Sequence, residues 1–186
     1  MKFRVLIILF LATVSCKSPE ARRPVSQSSG SYIDQSVERN KALLSQEEAY
    51  ITKIMERDST RDYIASNNGF WYFYNERNTD STNTQTPEFG DILIFDYTIS
   101  TLDGKPIYAE GEKATREYAV DQEELFTGLR EGLKLMKEGE TVTFLFPSYK
   151  AYGYYGDKAK IGTNLPITTK VTLHSIKSKT SNESNN

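Results

Sequence analysis

The chain has 186 residues, with 23 basic side chains against 25 acidic ones, a formal net charge of −2, one cysteine and one histidine. No basic run is longer than Arg22-Arg23, which argues against a nucleic-acid partner. A lone thiol has no partner for an intramolecular disulfide, and His174 has no cysteine to join it as a ligand, so neither a metal nor a cofactor is expected.

The first residues, Met-Lys-Phe-Arg, are followed by ten apolar or neutral residues, 5–14, and then by Ser15-Cys16. Ten residues cannot span a bilayer, which takes about 20 in a helix, but they suit the core of a cleaved secretory signal. Residues 1–15 are therefore read as a signal peptide. Cys16 reads either as a chance thiol in a discarded leader or as the first residue of a mature lipoprotein. The segment resembles bacterial lipoprotein signals, with Thr13 where these usually carry leucine. Lipidation of Cys16 is the reading adopted, with a cleaved soluble form as its alternative. Several acyl chains on one residue anchor firmly, because each buried CH₂ contributes about 0.8 kcal/mol. Without residues 1–15 the chain keeps 171 residues, 21 basic and 25 acidic, a net charge of −4. No second apolar stretch approaches membrane-spanning length. The expected location is the cell envelope, lipid-anchored on the outer membrane and facing the periplasm.

Residues 16–35 are rich in Ser, Pro, Gln and Arg, too poor in apolar surface to offset ordering entropy, and read as a flexible tether. Residues 36–66 read as a helical segment. Leu43, Leu44, Tyr50, Ile51, Ile54 and Met55 recur at helical steps, and Ser45 with Glu48 resembles a capping box that restarts the helix. That face suits packing on the chain's own domain or spacing it from the membrane, the favoured reading, or, alternatively, a dimer or partner helix. Glu47-Glu48 and Glu123-Glu124 read as solvated carboxylates at helix starts rather than acid/base pairs.

Asn67-Asn68-Gly69 signals a turn, and residues 70–74 form an aromatic run suited to a strand. In the next strand Ile92, Ile94, Asp96 and Thr98 alternate with Leu93, Phe95, Tyr97 and Ile99. Leu102-Asp103-Gly104-Lys105 marks a turn. Leu125, Leu129, Leu133 and Met136 have helical spacing within 123–136, and Gly139 lies near the C-cap. Residues 141–146 and 168–176 are further strand candidates, and 178–186 a disordered polar tail. One short helix among antiparallel-type strands, preceded by an N-terminal helix, is an α+β pattern. Asp58-Ser59-Thr60 and Asp80-Ser81-Thr82 resemble a short O-glycosylation signal of Bacteroidetes-type envelope proteins, beside the plain reading as surface turns.

Two motifs go further. The first is Tyr97-Thr98-Ile99-Ser100-Thr101-Leu102-Asp103-Gly104. The second runs Phe126-Thr127-Gly128-Leu129-Arg130-Glu131-Gly132-Leu133, through a strand to Pro147, then Ala151-Tyr152-Gly153 and on to Gly156. In order and spacing, residues 68–177 resemble the FKBP-type peptidyl-prolyl cis-trans isomerases. With its leader, the whole chain is similar to the gliding-motility-associated isomerase lipoproteins of Bacteroidetes-type bacteria. The resemblance implies a twisted antiparallel sheet wrapped around one short helix, with a proline pocket between them. It implies Tyr97, Phe126 (through its backbone N–H) and Tyr152 as the catalytic set. Ile107, Tyr108, Tyr118, Leu125, Leu129 and Ile161 stand at substrate-binding positions. The chain departs from the family at Tyr108, where an aspartate is usual, at Leu129 in place of the floor tryptophan, at Gly162-Thr163 in place of a proline pair, and at Thr169 in place of an aromatic.

Isomerisation about an X–Pro bond crosses a barrier of about 20 kcal/mol without making a bond to the enzyme. It needs a site that binds the twisted amide better than the planar one and keeps water away from it. Aromatic and aliphatic walls with one or two fixed donors meet that need. Taken singly, Tyr97, Tyr118 and Leu129 read better as core residues, and only their joint placement on the motif favours the site; Tyr152, between alanine and glycine, has less packing reason to be where it is. The expected partners are proline-containing polypeptides, and the membrane through Cys16; a monomer is the default. The competing readings are a non-catalytic peptide-binding chaperone and a structural lipoprotein of a motility or secretion machine.

Overall fold

The computed structural model describes residues 30–179, apart from 81, 83, 110, 113 and 114. The leader, Cys16 and the tail beyond 179 lie outside the described residues, as does Ser81 of the second Asp-Ser-Thr sequence. The elements are α1 (Gly30–Arg57), β1 (Ile64–Ala65), β2 (Trp71–Glu76), β3 (Ile92–Thr101), β4 (Pro106–Tyr108), β5 (Arg116–Ala119), α2 (Thr127–Leu133), β6 (Thr141–Phe146) and β7 (Ile167–Lys177). The chain divides into two units, Met1–Arg39 and Asn40–Asn186. The described part of the first is helical; the second holds the remainder of α1 and everything after it.

Helix α1 is continuous through Ser45, so no capping box restarts it there. Residues 31–57 contain neither glycine nor proline, and nothing in them breaks a helix once formed. Residues 30–35, read from the sequence as tether, are helical. The helix stops at Arg57, short of residue 66. Asp58 Oδ1 then accepts the N–H and the hydroxyl of Thr60, at 3.3 and 2.6 Å, and turns the chain toward β1. Among the described residues no helix is long and apolar enough to cross a membrane.

All strand pairs are antiparallel, in the order β1-β2-β6-β7-β3-β4, with β5 also on β3. Side chains alternate across a strand, and the two faces of the sheet carry two clusters. On β3, Leu93, Phe95, Tyr97 and Ile99 enter the larger cluster. Strand β6 is buried along its whole length because both its faces are covered. Its Val142, Phe144 and Phe146 join the larger cluster, while Leu145 meets Phe73 of β2 and Ile51 of α1 on the other face. Ile54 and Met55 pack beside Ile51, and the Tyr50 hydroxyl donates to Asp103 in the β3–β4 turn. Residues 47–55 thus close the second face of the sheet.

Helix α2 closes the first face. A Cβ on Gly128 would lie 2.5 Å from Phe146 Cδ1, and one on Gly132 2.9 Å from Phe144 Cε1. Those two rings stack with centroids 5.6 Å apart and planes at 11°. Glycines four residues apart face the same side of a helix, and here that side rests directly on the ring stack. The helix is shorter than the apolar spacing over 123–136 suggests. Phe126 is extended, at φ −64° and ψ 146°. After Leu133 the chain tightens into i→i+3 bonds, Leu135 N–H to Gly132 O (3.0 Å) and Met136 N–H to Leu133 O (3.1 Å).

Candidate active site

Between β6 and β7 the chain makes a flap, residues 147–166, built on two short 3₁₀ turns, Ser148–Lys150 and Gly153–Tyr155. Its base is fixed by α1: Glu47 accepts the Ser148 N–H at Oε2 and the Ser148 hydroxyl at Oε1, both at 2.7 Å. Glu47 is buried, which corrects the reading of Glu47-Glu48 as a solvated pair. In an unbroken α1, residue 47 lies four positions before Ile51 and faces the sheet with it. Farther along, Asn164 N–H donates to Gly153 O (2.8 Å) where the flap returns.

Tyr152 leaves the flap toward the sheet, its ring 5.0 Å from that of Phe126. Phe126 in turn meets Phe146 edge-on, at 5.4 Å and 82°. An aromatic file therefore runs from the flap across the start of α2 to β6. Burial first, and then the neighbouring Tyr97, Asp157 and Tyr108, push the Tyr152 phenol well above its ordinary value, against a weaker opposing pull from Arg116. It stays a neutral donor throughout the physiological range. Among the described residues the Phe126 N–H meets no hydrogen-bond acceptor.

All nine residues singled out from the sequence belong to the larger core cluster or pack on it. Tyr97, Tyr108 and Ile161 lie at its margin, largely buried, with Ile107, Leu125, Phe126 and Tyr152 half-exposed against them. Leu129 and Tyr118 are sealed beneath, at 0% and 1% exposure. The Tyr118 hydroxyl is used locally, accepting the Asp121 N–H at 3.0 Å. Those two residues are core. Thr169 is fully buried on β7, and its hydroxyl has no hydrogen-bond partner among the described residues.

Motif reading does not find Asp157. The sequence places tyrosine rather than an acid at position 108, and the structure brings an acid to that tyrosine from the flap. The Tyr108 hydroxyl donates to Asp157 Oδ2 at 2.5 Å, and this hydrogen bond is the main reason the Tyr108 phenol is raised above its ordinary value. Asp157 Oδ1 accepts the N–H groups of Ala159 (2.9 Å) and Ile161 (2.8 Å). The residues are 49 positions apart, and only the Gly156-Asp157 turn signal marks the place in sequence.

Elsewhere His174 pairs with Asp96 at 2.7 Å. Hydrogen bonds from Thr115, and then from His174, hold the Asp96 carboxyl below its usual range. Among the described residues no cluster of His, Cys, Asp and Glu is arranged to hold a metal ion. Clefts of about 510 and 260 Å³ lie beside Phe73, on the side of the sheet that α1 covers, and neither contains any of the nine residues.

Residues 83–174 match the family model of the FKBP-type peptidyl-prolyl cis-trans isomerases, a span that holds all nine residues and Asp157. Among solved structures, the chain is similar to a peptidyl-prolyl cis-trans isomerase from Pseudomonas syringae pv. tomato. The two are 17% identical with a TM-score of 0.59, over 74% of this chain and 96% of that one. It is also similar to FkpA from Escherichia coli, 20% identical with a TM-score of 0.57, over 95% of this chain and 82% of that one. At such identities the likeness is one of fold.

Proposed function

The chain belongs to the FKBP-type peptidyl-prolyl cis-trans isomerase family, and from that premise we propose that it turns X–Pro bonds of envelope proteins between the Tyr152 flap and the start of α2. The observation that carries the reading is the Phe126–Tyr152 contact, 5.0 Å between ring centroids, beside a Phe126 N–H that meets no acceptor among the described residues. The rings and Ile161 grip a proline ring, the N–H holds the peptide carbonyl, and the Tyr152 hydroxyl is the second donor. Apolar walls remove water from the amide and favour its twisted, less polar form over the planar one. Every step is non-covalent, so no nucleophile is required. Tyr97, Tyr108, Ile107 and Leu125 complete the rim, with Leu129 and Tyr118 beneath.

Catalysed relaxation of an X–Pro tetrapeptide tests this directly. Phe126→Ala and Tyr152→Ala are expected to lower kcat/KM by about 10-fold or more, the scale on which loss of one fixed donor or wall acts. Unchanged activity in both variants overturns the site assignment. A wild-type rate equal to the uncatalysed one favours the peptide-binding chaperone instead.

The envelope location rests on the leader sequence and Cys16, which we propose is lipidated and holds the protein on the outer membrane facing the periplasm. Cys16→Ser is then expected to release the protein from the membrane fraction; its retention there counts against the anchor. A client within a gliding-motility apparatus is supported by the sequence resemblance alone. Cells carrying only Tyr152→Ala are expected to lose motility if the isomerase serves that apparatus, and full motility in them favours a scaffolding role.

A further inference from the structure

Resting on that reading of the site, we propose that Asp157 is a positioning residue that latches the flap to β4 through Tyr108 and so sets how tightly proline peptides bind. The flap has no strand partner of its own. Apolar packing holds its middle weakly, since Tyr154 and Tyr155 are 70% and 81% exposed and meet each other edge-on at 5.4 Å rather than the core. Segments with few buried apolar contacts open most readily. On its far side Ile161 packs into the core, and polar contacts tie the loop around it to the sheet.

Three groups converge on the Asp157 side chain. Oδ1 takes the N–H groups of Ala159 and Ile161, and Oδ2 takes the Tyr108 hydroxyl. The Asp157 N–H also donates to Ile161 O at 3.1 Å, so residues 157–161 close on themselves. The turn requires glycine at 156, which has φ +62° and whose Cβ would lie 2.1 Å from Ile161 O. Residues 157–161 are thus tied together, and the Tyr108 hydroxyl on β4 joins them to the sheet. Lys160 lies 4.9 Å over the Tyr108 ring and pairs with Glu112, steadying the strand side of the same contact.

The consequence for the site is geometric. Ile161 closes this unit and Tyr152 precedes it, and both belong to the proposed pocket. A hydrogen bond to an ionised carboxylate is stronger than a neutral one. Losing it leaves α1 and β7 still holding the two ends of the flap while its middle drifts from the sheet. Closure sets the fraction of molecules competent to bind, and apparent affinity falls with that fraction. The latch therefore acts on KM, while the chemistry in a closed complex is unchanged.

The experiment compares wild type, Tyr108→Phe, Asp157→Asn and the double variant in two assays, tetrapeptide isomerisation kinetics and amide hydrogen exchange. Tyr108→Phe removes only the latching hydroxyl. It is expected to raise KM by about 10-fold with kcat within about twofold, the scale of one charge-assisted hydrogen bond. Amide exchange at Ala159 and Ile161 should quicken by a similar factor, while Val171 in β7 exchanges as in wild type. Asp157→Asn loses the charge of the same contact while its amide oxygen still serves the turn, so it should raise KM and quicken exchange at Ala159 and Ile161 as Tyr108→Phe does. The double variant should be no worse than the poorer single one, because both remove the same contact. Wild-type KM in Tyr108→Phe overturns the proposal, as does faster exchange without a change in KM, which marks a purely structural bond. Should wild type itself fail to catalyse, the isomerase reading falls, and exchange at Ala159 and Ile161 in Tyr108→Phe still decides whether the latch exists.

Discussion

The carboxylate of Glu47 in α1 accepts both donors of Ser148, N–H and hydroxyl, at 2.7 Å each, with both side chains buried. The bond joins residues 101 positions apart and sits where β6 gives way to the flap. It satisfies the first N–H of a 3₁₀ turn that would otherwise be orphaned in the interior.

Glu47→Ala leaves both Ser148 donors buried without a partner, and is expected to cost about 3 kcal/mol, the scale of losing charge-assisted bonds in the interior. For a domain of this size that lowers Tm by roughly 6–12 °C. Glu47→Gln keeps one acceptor and should cost less than half as much. Urea unfolding of both variants and of Ser148→Ala checks this. Costs for Glu47→Ala and Ser148→Ala that add in the double variant would mean the two residues are not coupled.

Packing of α2 on the Phe144–Phe146 stack carries a second prediction. Gly128→Ala gains helix propensity, worth about 1 kcal/mol in an open helix. Here the new methyl meets Phe146 at 2.5 Å and the Lys150 carbonyl at 2.8 Å. Backbone cannot yield as a side-chain tip does, so the clash outweighs the propensity. A net loss of about 1–3 kcal/mol is expected, and thermal unfolding measures it. A stabilised Gly128→Ala would mean that α2 does not lie where the ring stack holds it.

Much of this arrangement is legible in the chain itself. The alternation from Ile92 to Ile99 gives β3 and its buried face, because a strand with one face on the core must alternate. The Gly128 and Gly132 spacing belongs to a helix pressed on aromatic rings. What the pattern does not carry is pairing between distant polar groups. Glu47 looks solvated when read beside Glu48; only the unbroken helix, which puts it on the stripe of Ile51 and Ile54, turns it inward. Asp157 looks like one more flap residue until Tyr108 arrives from β4. In both cases a short-range rule is overridden by a contact that exists only after the sheet has formed.

Thr169 makes a third test. Its hydroxyl is buried on β7 with no partner among the described residues, in a strand position that pairs with Ile99 and Phe144. A buried donor left unmade costs free energy that a methyl of the same shape does not. Thr169→Val is expected to raise stability by about 1 kcal/mol, seen as a higher urea midpoint with unchanged slope. A destabilised Thr169→Val would mean that the hydroxyl has found an acceptor.

The phenol of Tyr152 gives the pH dependence. Its ordinary value is about 10, and burial, with Tyr97, Asp157 and Tyr108 nearby, raises it in the folded chain. A raised value means the folded state favours the neutral form. Its stabilising contribution is therefore fully present below about pH 10. It is lost as pH climbs through the higher folded value, where the ionised oxygen must be accommodated among apolar rings or the flap must open. Activity that depends on the Tyr152 hydroxyl as a donor should accordingly be flat from about pH 6 to 9, well below that loss. Ultraviolet titration near the tyrosinate band is expected to show a late alkaline component in wild type that Tyr152→Phe reduces, the raised Tyr108 phenol being among those that remain. Tyr152→Phe should also blunt the alkaline fall in stability, because the group that ionises there is gone. A wild-type titration complete by about pH 10.5, with no late component, would place Tyr152 in water rather than against Phe126.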